Sequence, residues 1–206
     1  VGADCVGRDP GHQTIVKTRV IARNQQVVRV DRERRTQPAP ERLDKMLTRF
    51  EEMLPRLDAV IIEDYGKGLL TADVVERMCA AARAAGKIVT VDPNMNNPIR
   101  WPVVTAVKPN RAEAFQAAGT PWREPIDPPS ADGALLSVSE KLMGMWGTDL
   151  LLITLGEQGM WLCERGGKGN PHHAPTRARE VYDVSGAGDT AIALFTLALC
   201  AEATPV

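Results

Sequence analysis

The chain has 206 residues, 44% of them hydrophobic, which is enough for one sizeable core and one or two domains. Lys plus Arg number 25 against 26 Asp plus Glu, so a net charge of −1 gives no global basic field for nucleic acid, and the run Arg32, Arg34, Arg35 reads as a solvated turn. No signal-peptide pattern and no long apolar span is present, which predicts a soluble cytoplasmic protein without a membrane partner.

In chain order, residues 14–22 mix apolar and polar positions in rough alternation, Asn24-Gln25-Gln26 breaks the run, and residues 27–31 resume it. Two β-branched runs across a short polar turn predict a β-hairpin with one face wet or covering something movable. Residues 32–40 are charged and punctuated by proline, hence a connection. Leu43, Met46, Leu47, Phe50 and Leu54 keep helical spacing over residues 41–57. Residues 58–62 form a short apolar run, expected as a buried parallel strand. Thr71 is placed to cap the next helix, which runs to Ala85 and stops at Gly86.

Strands are expected next over 87–91 and 103–107, then a helix over 110–118 and a proline-rich loop over 120–132. An amphipathic helix over 134–146 follows. Strands are expected over 150–154 and 160–163, with a hairpin turn over 166–170. The last element is an alanine-rich helix opening near Gly188. Strands alternating with helices predict a layered α/β domain with a mostly parallel sheet.

Cys5, Cys79, Cys163 and Cys200 lack C-x-x-C spacing and read as buried free thiols in a reducing compartment. His172 and His173 read as a solvent-facing pair at a strand start, without the further ligands a metal needs. The four tryptophans, Trp101, Trp122, Trp146 and Trp161, read as packing residues. Arg100 and Arg111 read as surface charges.

The most informative string is Asp183-Val-Ser-Gly-Ala-Gly-Asp-Thr190, at the opening of the last helix. Glycines at a helix start admit close backbone approach, and first-turn N–H groups lack intrahelical partners. Together they make a cradle for phosphate or for developing negative charge. Asp189 lies in the same turn. It is either a first-turn acid or the base that takes a proton from a hydroxyl attacking a phosphoryl group. The string does not fit G-x-G-x-x-G, so it is not a dinucleotide fingerprint.

Four more loops fall where such sheets bind ligands, beyond the carboxyl ends of the strands: Asp64-Tyr-Gly-Lys-Gly68, Asp92-Pro-Asn94, Lys108-Pro-Asn110 and Gly156 to Gly159. Lys67, between glycines, suits phosphate as a point charge or is an exposed loop lysine. Asn110 and Glu113 have capping-box spacing, and both a structural and a ligand-binding role stay open. Asp92 and Asn94 fit a plain turn equally well.

With these loops in view, the chain resembles the PfkB/ribokinase family of sugar kinases across nearly its whole length. Asp183-Val-Ser-Gly-Ala-Gly-Asp189 is similar to that family's C-terminal signature. A finer match, to kinases that phosphorylate D-glycero-D-manno-heptose 7-phosphate at its anomeric hydroxyl, lies in three strings. These are Lys17-Thr-Arg-Val-Ile-Ala-Arg-Asn-Gln-Gln26 with Arg29 and Asp31, then Asp64-Tyr-Gly-Lys-Gly68, then Lys108-Pro-Asn-Arg-Ala-Glu113.

The resemblance implies a ribokinase-like α/β fold, with a mostly parallel central sheet, flanking helices and residues 14–31 as a small β lid. It implies ATP and Mg²⁺ as cofactors and a sugar phosphate as substrate. The product would feed ADP-heptose and lipopolysaccharide precursor synthesis, and a homodimer would form through the lid. By the same resemblance Asp189 is the catalytic base, and Gly186, Ala187 and Gly188 form the anion hole. Asn110, Glu113, Lys108, Thr154, Gly156 and Asp183 lie on the nucleotide side, with Glu113 near the metal. Asp64 and Lys67 lie on the sugar side.

Three departures stand out. Val1-Gly-Ala-Asp-Cys-Val-Gly7 resembles an internal motif of the family, the last helices around the adenine are not in the sequence, and Glu63 stands where a small residue is usual. Residues 1–206 are therefore expected to be a partial kinase domain. Two rivals remain at this point: a kinase for another sugar or a nucleoside, and a catalytically inert binding module.

Overall fold

The alternating run after Thr14 forms the hairpin that its pattern predicts, in a computed structural model that describes residues 6–7, 10, 13–23, 25–34, 36–166, 171–177 and 186–204. Strands β1 (Val16–Ala22) and β2 (Gln25–Arg32) pair antiparallel, with Thr18 opposite Val30 and Val20 opposite Val28. Every β1 residue is exposed, and Val20, Val28 and Val30 leave an apolar stripe bare. The hairpin is a sheet of its own, separate from the main one. A lone two-stranded ribbon is marginal in water, so it depends on what lies beneath it.

Helix α1 (Pro40–Met53) starts on a proline, which fits the first turn because no intrahelical N–H bond is lost there. Strand β3 (Ala59–Glu63) follows, then α2 (Ala72–Ala84), whose first turn is capped as expected by the Thr71 hydroxyl accepting from the Val74 amide. Gly86 ends the helix at φ +65°, and β4 (Ile88–Asp92) begins just beyond. Next come β5 (Ala106–Val107), α3 (Arg111–Ala117), α4 (Gly133–Trp146), β6 (Leu150–Thr154), β7 (Met160–Glu164), β8 (His172–Ala174) and α5 (Ala187–Cys200).

The main sheet runs β3-β4-β5-β6-β7-β8. β3 to β6 are mutually parallel, and β7 and β8 are added antiparallel. Its two faces are legible in β6. Leu151 and Ile153 join the larger core with Val75, Cys79, Phe115, Leu135 and Leu142 of α2, α3 and α4. Leu150 and Leu152 turn to the opposite face, where Ala106, Leu162 and the α5 residues Phe195 and Leu199 gather. A buried hydroxyl pair, Thr90 with Thr196 at 2.7 Å, ties α5 to β4. This fixes the angle at which α5 presents its first turn to the strand ends. Among the described residues no helix is long and apolar enough to cross a membrane.

Five expectations are corrected or fall outside the described residues. The strand expected over 103–107 shrinks to Ala106–Val107, because Val103 takes φ +45°, which a β-branched residue in a strand does not adopt. Arg111, expected at the surface, is 5% exposed. It pairs with Asp132 at 2.6 Å and lies over the rings of Phe115 and Trp122. His173 is part-buried and bonds the Gln158 carbonyl oxygen at 2.6 Å, while His172 is exposed. Residues 167–170 of the expected turn lie outside the described residues, as does Cys5; Cys79 and Cys163 are buried free thiols and Cys200 is half-buried.

Candidate active site

Because β3 to β6 are parallel, their carboxyl ends share one rim, and the loops singled out in the sequence leave from it. At the β4 end, Asp92 Oδ2 accepts from Lys108 Nζ at 2.8 Å; Lys108 follows β5 and is 4% exposed. The first turn of α5 sits against this pair. A Cβ on Gly188 would come 3.3 Å from Lys108 Nζ and 3.8 Å from Asp92 Oδ2, so glycine is what allows the approach.

Gly186 is the N-cap of α5 at φ +77°, a left-handed conformation that favours glycine, and among the described residues no side chain caps the helix. Among the described residues the first-turn amides beside Ala187 and Gly188 have no side-chain acceptor, and this turn lies against Lys108 and Asp92. Asp189 is exposed in the same turn. Asp183 lies outside the described residues.

Electrostatics bind these groups into one system. Burial pushes the Asp92 carboxyl up; the Lys108 ammonium opposes this, and Asp189 adds to it. Burial also raises Glu113, with Asp92 adding and both the Asn110 amide and Lys108 opposing. A cation among several carboxylates, beside a cradle of bare amides, suits a site that receives a polyanion together with a divalent cation.

The Asn110 and Glu113 capping box is complete: the Asn110 side chain accepts from the Glu113 amide at 2.9 Å, and Glu113 Oε2 accepts from the Asn110 amide at 2.7 Å. The structural role is thus present, and it aims α3 and the Glu113 carboxylate at the rim. Thr154 joins the same loop through its amide, which donates to the Pro109 carbonyl at 3.1 Å. Gly156 follows at φ +62° and starts a short 3-10 turn. Beyond it the backbone at Gly159 packs so closely on Ala174 that a Cβ would overlap its carbonyl oxygen at 2.1 Å.

On the other side of the rim, Asp64 is 8% exposed and accepts from the Gly66 amide at 2.7 Å and from Asn97 Nδ2 at 2.8 Å. It shapes the loop that carries Lys67. Lys67 pairs with Glu33 at 2.5 Å, just after the hairpin, and ties the hairpin to this loop. A cavity of about 480 Å³ opens between Ile15 and Lys17 of the hairpin and Asp64, Tyr65, Lys67 and Leu70 of the loop.

Sequence reasoning did not single out Tyr65, Glu33 or Lys17. Tyr65 Oη lies 3.3 Å from Asp189 Oδ2 and 3.2 Å from Glu63 Oε2, and Lys17 Nζ lies 5.9 Å from the centre of its ring. The sequence signals were the strings that begin at Lys17 and Asp64, which contain two of these residues without giving them a role, and the odd glutamate at position 63.

The family profile for pfkB family carbohydrate kinases matches residues 1–205. Among curated proteins, the chain is 37% identical over 200 residues to a Bifunctional protein HldE of Paramagnetospirillum magneticum. That stretch is 97% of this chain and 39% of that protein. It is 40% identical over 200 residues to a Bifunctional protein HldE of Geotalea uraniireducens, covering 96% of this chain and 39% of that protein. The chain thus spans about two-fifths of the length of these relatives. Among solved structures, a ribokinase of Arabidopsis thaliana complexed with ribose and ATP superposes with a TM-score of 0.61 at 21% identity, over 75% of this chain and 47% of that one. A phosphofructokinase-2 of Escherichia coli superposes with a TM-score of 0.61 at 18% identity, over 92% of this chain and 59% of that one. These two likenesses establish a ribokinase-like fold. With the profile match over almost its full length, the chain belongs to the pfkB family of carbohydrate kinases.

Proposed function

We propose that this chain is the catalytic part of an ATP-dependent sugar kinase. The substrate read from its sequence is D-glycero-D-manno-heptose 7-phosphate, phosphorylated at the anomeric hydroxyl for ADP-heptose and lipopolysaccharide precursor synthesis. The carrying observation is one helical turn: the uncapped amides of Gly186 to Gly188 and the exposed Asp189 carboxylate stand together against the buried Lys108. The amides and Lys108 neutralise charge on the transferring phosphoryl group. Asp189 accepts the hydrogen of the sugar hydroxyl as attack develops. Phosphoryl transfer asks little more of a protein than such placement.

Mg²⁺ fits the residues present. Among the described residues no cluster of three or more metal-ligating side chains exists. A single carboxylate plus substrate phosphates and water is the usual arrangement for this ion. Glu113, at the start of α3, is the carboxylate read as holding it, and the bound ion would supply charge neutralisation on the nucleotide phosphates. The sugar occupies the cavity between hairpin and loop, with Lys67 and Lys17 as its cations. The bare stripe of Val20, Val28 and Val30 is read as the face on which the hairpin of a second copy pairs.

The test is ATP turnover by the natural full-length protein against a panel of sugars, sugar phosphates and nucleosides. Heptose 7-phosphate should give the highest kcat/KM. A nucleoside or an unphosphorylated sugar at the top would overturn the substrate assignment, and no turnover with any acceptor would overturn the kinase reading. Sedimentation should show a dimer that Val28→Glu dissociates; a monomeric parent would refute the pairing.

A further inference from the structure

Tyr65 stands between two carboxylates. Its hydroxyl oxygen is 3.3 Å from Asp189 and 3.2 Å from Glu63. A phenol has one hydrogen to give, so at any moment one carboxylate holds it and the other faces a bare oxygen. Both separations exceed the roughly 2.5–2.7 Å of a settled hydroxyl–carboxylate bond. Burial, then the charges of Glu63 and Asp189, push the phenol up to about 12, so it remains a donor throughout the neutral range. The residue is 52% exposed, so packing does not explain its place. Lys17 of the lid lies 5.9 Å from the centre of the same ring.

We infer that Tyr65 is a positioning residue for Asp189: its hydroxyl holds the carboxylate toward the cleft while the site is empty, and turns to Glu63 when a sugar hydroxyl takes its place. This rests on the kinase reading of Asp189. As the sugar oxygen bonds to phosphorus and the bond between phosphorus and the ADP oxygen breaks, the sugar hydrogen passes to Asp189 and later to solvent. Tyr65 keeps its own hydrogen and only rotates. Glu63 supplies the resting place that makes the rotation cheap.

Asp189 couples to Asp92 of β4 and to Tyr65, which also meets Glu63 at the end of β3; Lys108 clamps Asp92, Glu113 of α3 couples to that pair, and Lys17 of β1 lies beside the Tyr65 ring. Among the described residues, Tyr65 is the one that brings a polar hydrogen within bonding distance of the Asp189 carboxylate.

The experiment compares Tyr65→Phe, Glu63→Gln and Asp189→Asn in the natural full-length enzyme. Tyr65→Phe keeps the ring and removes only the hydroxyl. Its kcat/KM for the sugar should fall roughly 10-fold or more, the scale of one hydrogen bond to a charged group, because the free enzyme no longer holds the carboxylate ready. KM for ATP should stay within about twofold, because that binding is made elsewhere. The acid limb of kcat/KM, which reports the free enzyme, should move to higher pH, since a carboxylate that has lost a donor is easier to protonate. Glu63→Gln should move that limb the opposite way, because the hydroxyl then stays on Asp189.

If Asp189→Asn is inactive while Tyr65→Phe matches the parent in kcat/KM for the sugar and in its pH profile, the inference fails and the kinase reading stands. If Asp189→Asn turns over at the parental rate, both fail. Should Tyr65→Phe not fold, Glu63→Gln decides alone, and an acid limb identical to the parent's overturns the inference.

Discussion

Lys108 and Asp92 form an ion pair 2.8 Å long, and the ammonium of that pair is also the nearest atom to the bare face of Gly188. One lysine thereby joins the end of β4, the end of β5 and the start of α5. A side chain only 4% exposed has little room to retreat.

The first prediction concerns Gly188→Ala. Alanine favours a helix over glycine by about 0.5–1 kcal/mol. Its methyl would press on Lys108 Nζ at 3.3 Å, a contact that forces a shift of a few tenths of an ångström. Stability by urea denaturation should therefore change by less than about 1 kcal/mol, since the two effects oppose. Phosphoryl transfer in a coupled ADP assay should fall roughly 10-fold or more, because small misplacements at a reacting centre are costly. A variant at parental kcat would show that Lys108 does not act on the transferring group.

Glu113 gives a prediction with a definite sign in pH. Burial holds its carboxyl above the ordinary 4.5, so the fold penalises the charged form. A carboxyl raised in this way contributes stability that is full below the unfolded value and is lost as pH rises through the folded one. Glutamine carries no charge and preserves the capping box. Glu113→Gln should be at least as stable as the parent at neutral pH, and the difference should vanish as pH drops below the ordinary glutamate value, while Mg²⁺-dependent turnover falls. Denaturation midpoints across that range decide, and a variant less stable at neutral pH contradicts the account.

Asp132 titrates with the opposite sign. Its burial alone would raise the carboxyl, but the Leu135 amide and the Arg111 guanidinium outweigh it and hold it below 3.8. Its contribution is present above the unfolded value and is lost as pH falls through the folded one. Asp132 also caps α4 by accepting from the Ala134 and Leu135 amides. Arg111 has no acceptor on Nε or Nη1 among the described residues, so Asp132 is its main partner. Asp132→Ala should cost about 3–5 kcal/mol for the stranded cation and about 1 more for the cap. Asp132→Asn keeps the cap and should cost less. Equal losses in equilibrium denaturation would refute this division.

Much of the fold was legible because it is local. Leu43, Met46, Leu47 and Phe50 mark α1 by period, Thr71 and Gly86 punctuate α2, and Asn110 with Glu113 announces α3 three residues apart. The motif around Gly186 to Asp189 was legible for the same reason.

What stayed hidden joins distant parts of the chain. Tyr65 and Asp189 are 124 residues apart, and Lys67 meets Glu33 across 34. No period or spacing encodes such meetings; the packing of α5 on β4 and of the hairpin on the loop creates them. Arg111 misled because a charged residue beside a helix start is ordinarily solvated, whereas here Asp132 and two rings receive it. The short β5 was overestimated because composition does not reveal the positive φ of Val103.

The most direct measurement is the single-turnover rate of phosphoryl transfer from Mg·ATP to a sugar phosphate by the natural full-length protein carrying Asp189→Asn. Asparagine has nearly the same shape and cannot take the hydroxyl hydrogen. The account predicts a rate lowered by roughly 10²–10⁴, the range of a lost general base, with Mg·ATP affinity kept within a few-fold. Transfer at the parental rate would contradict it.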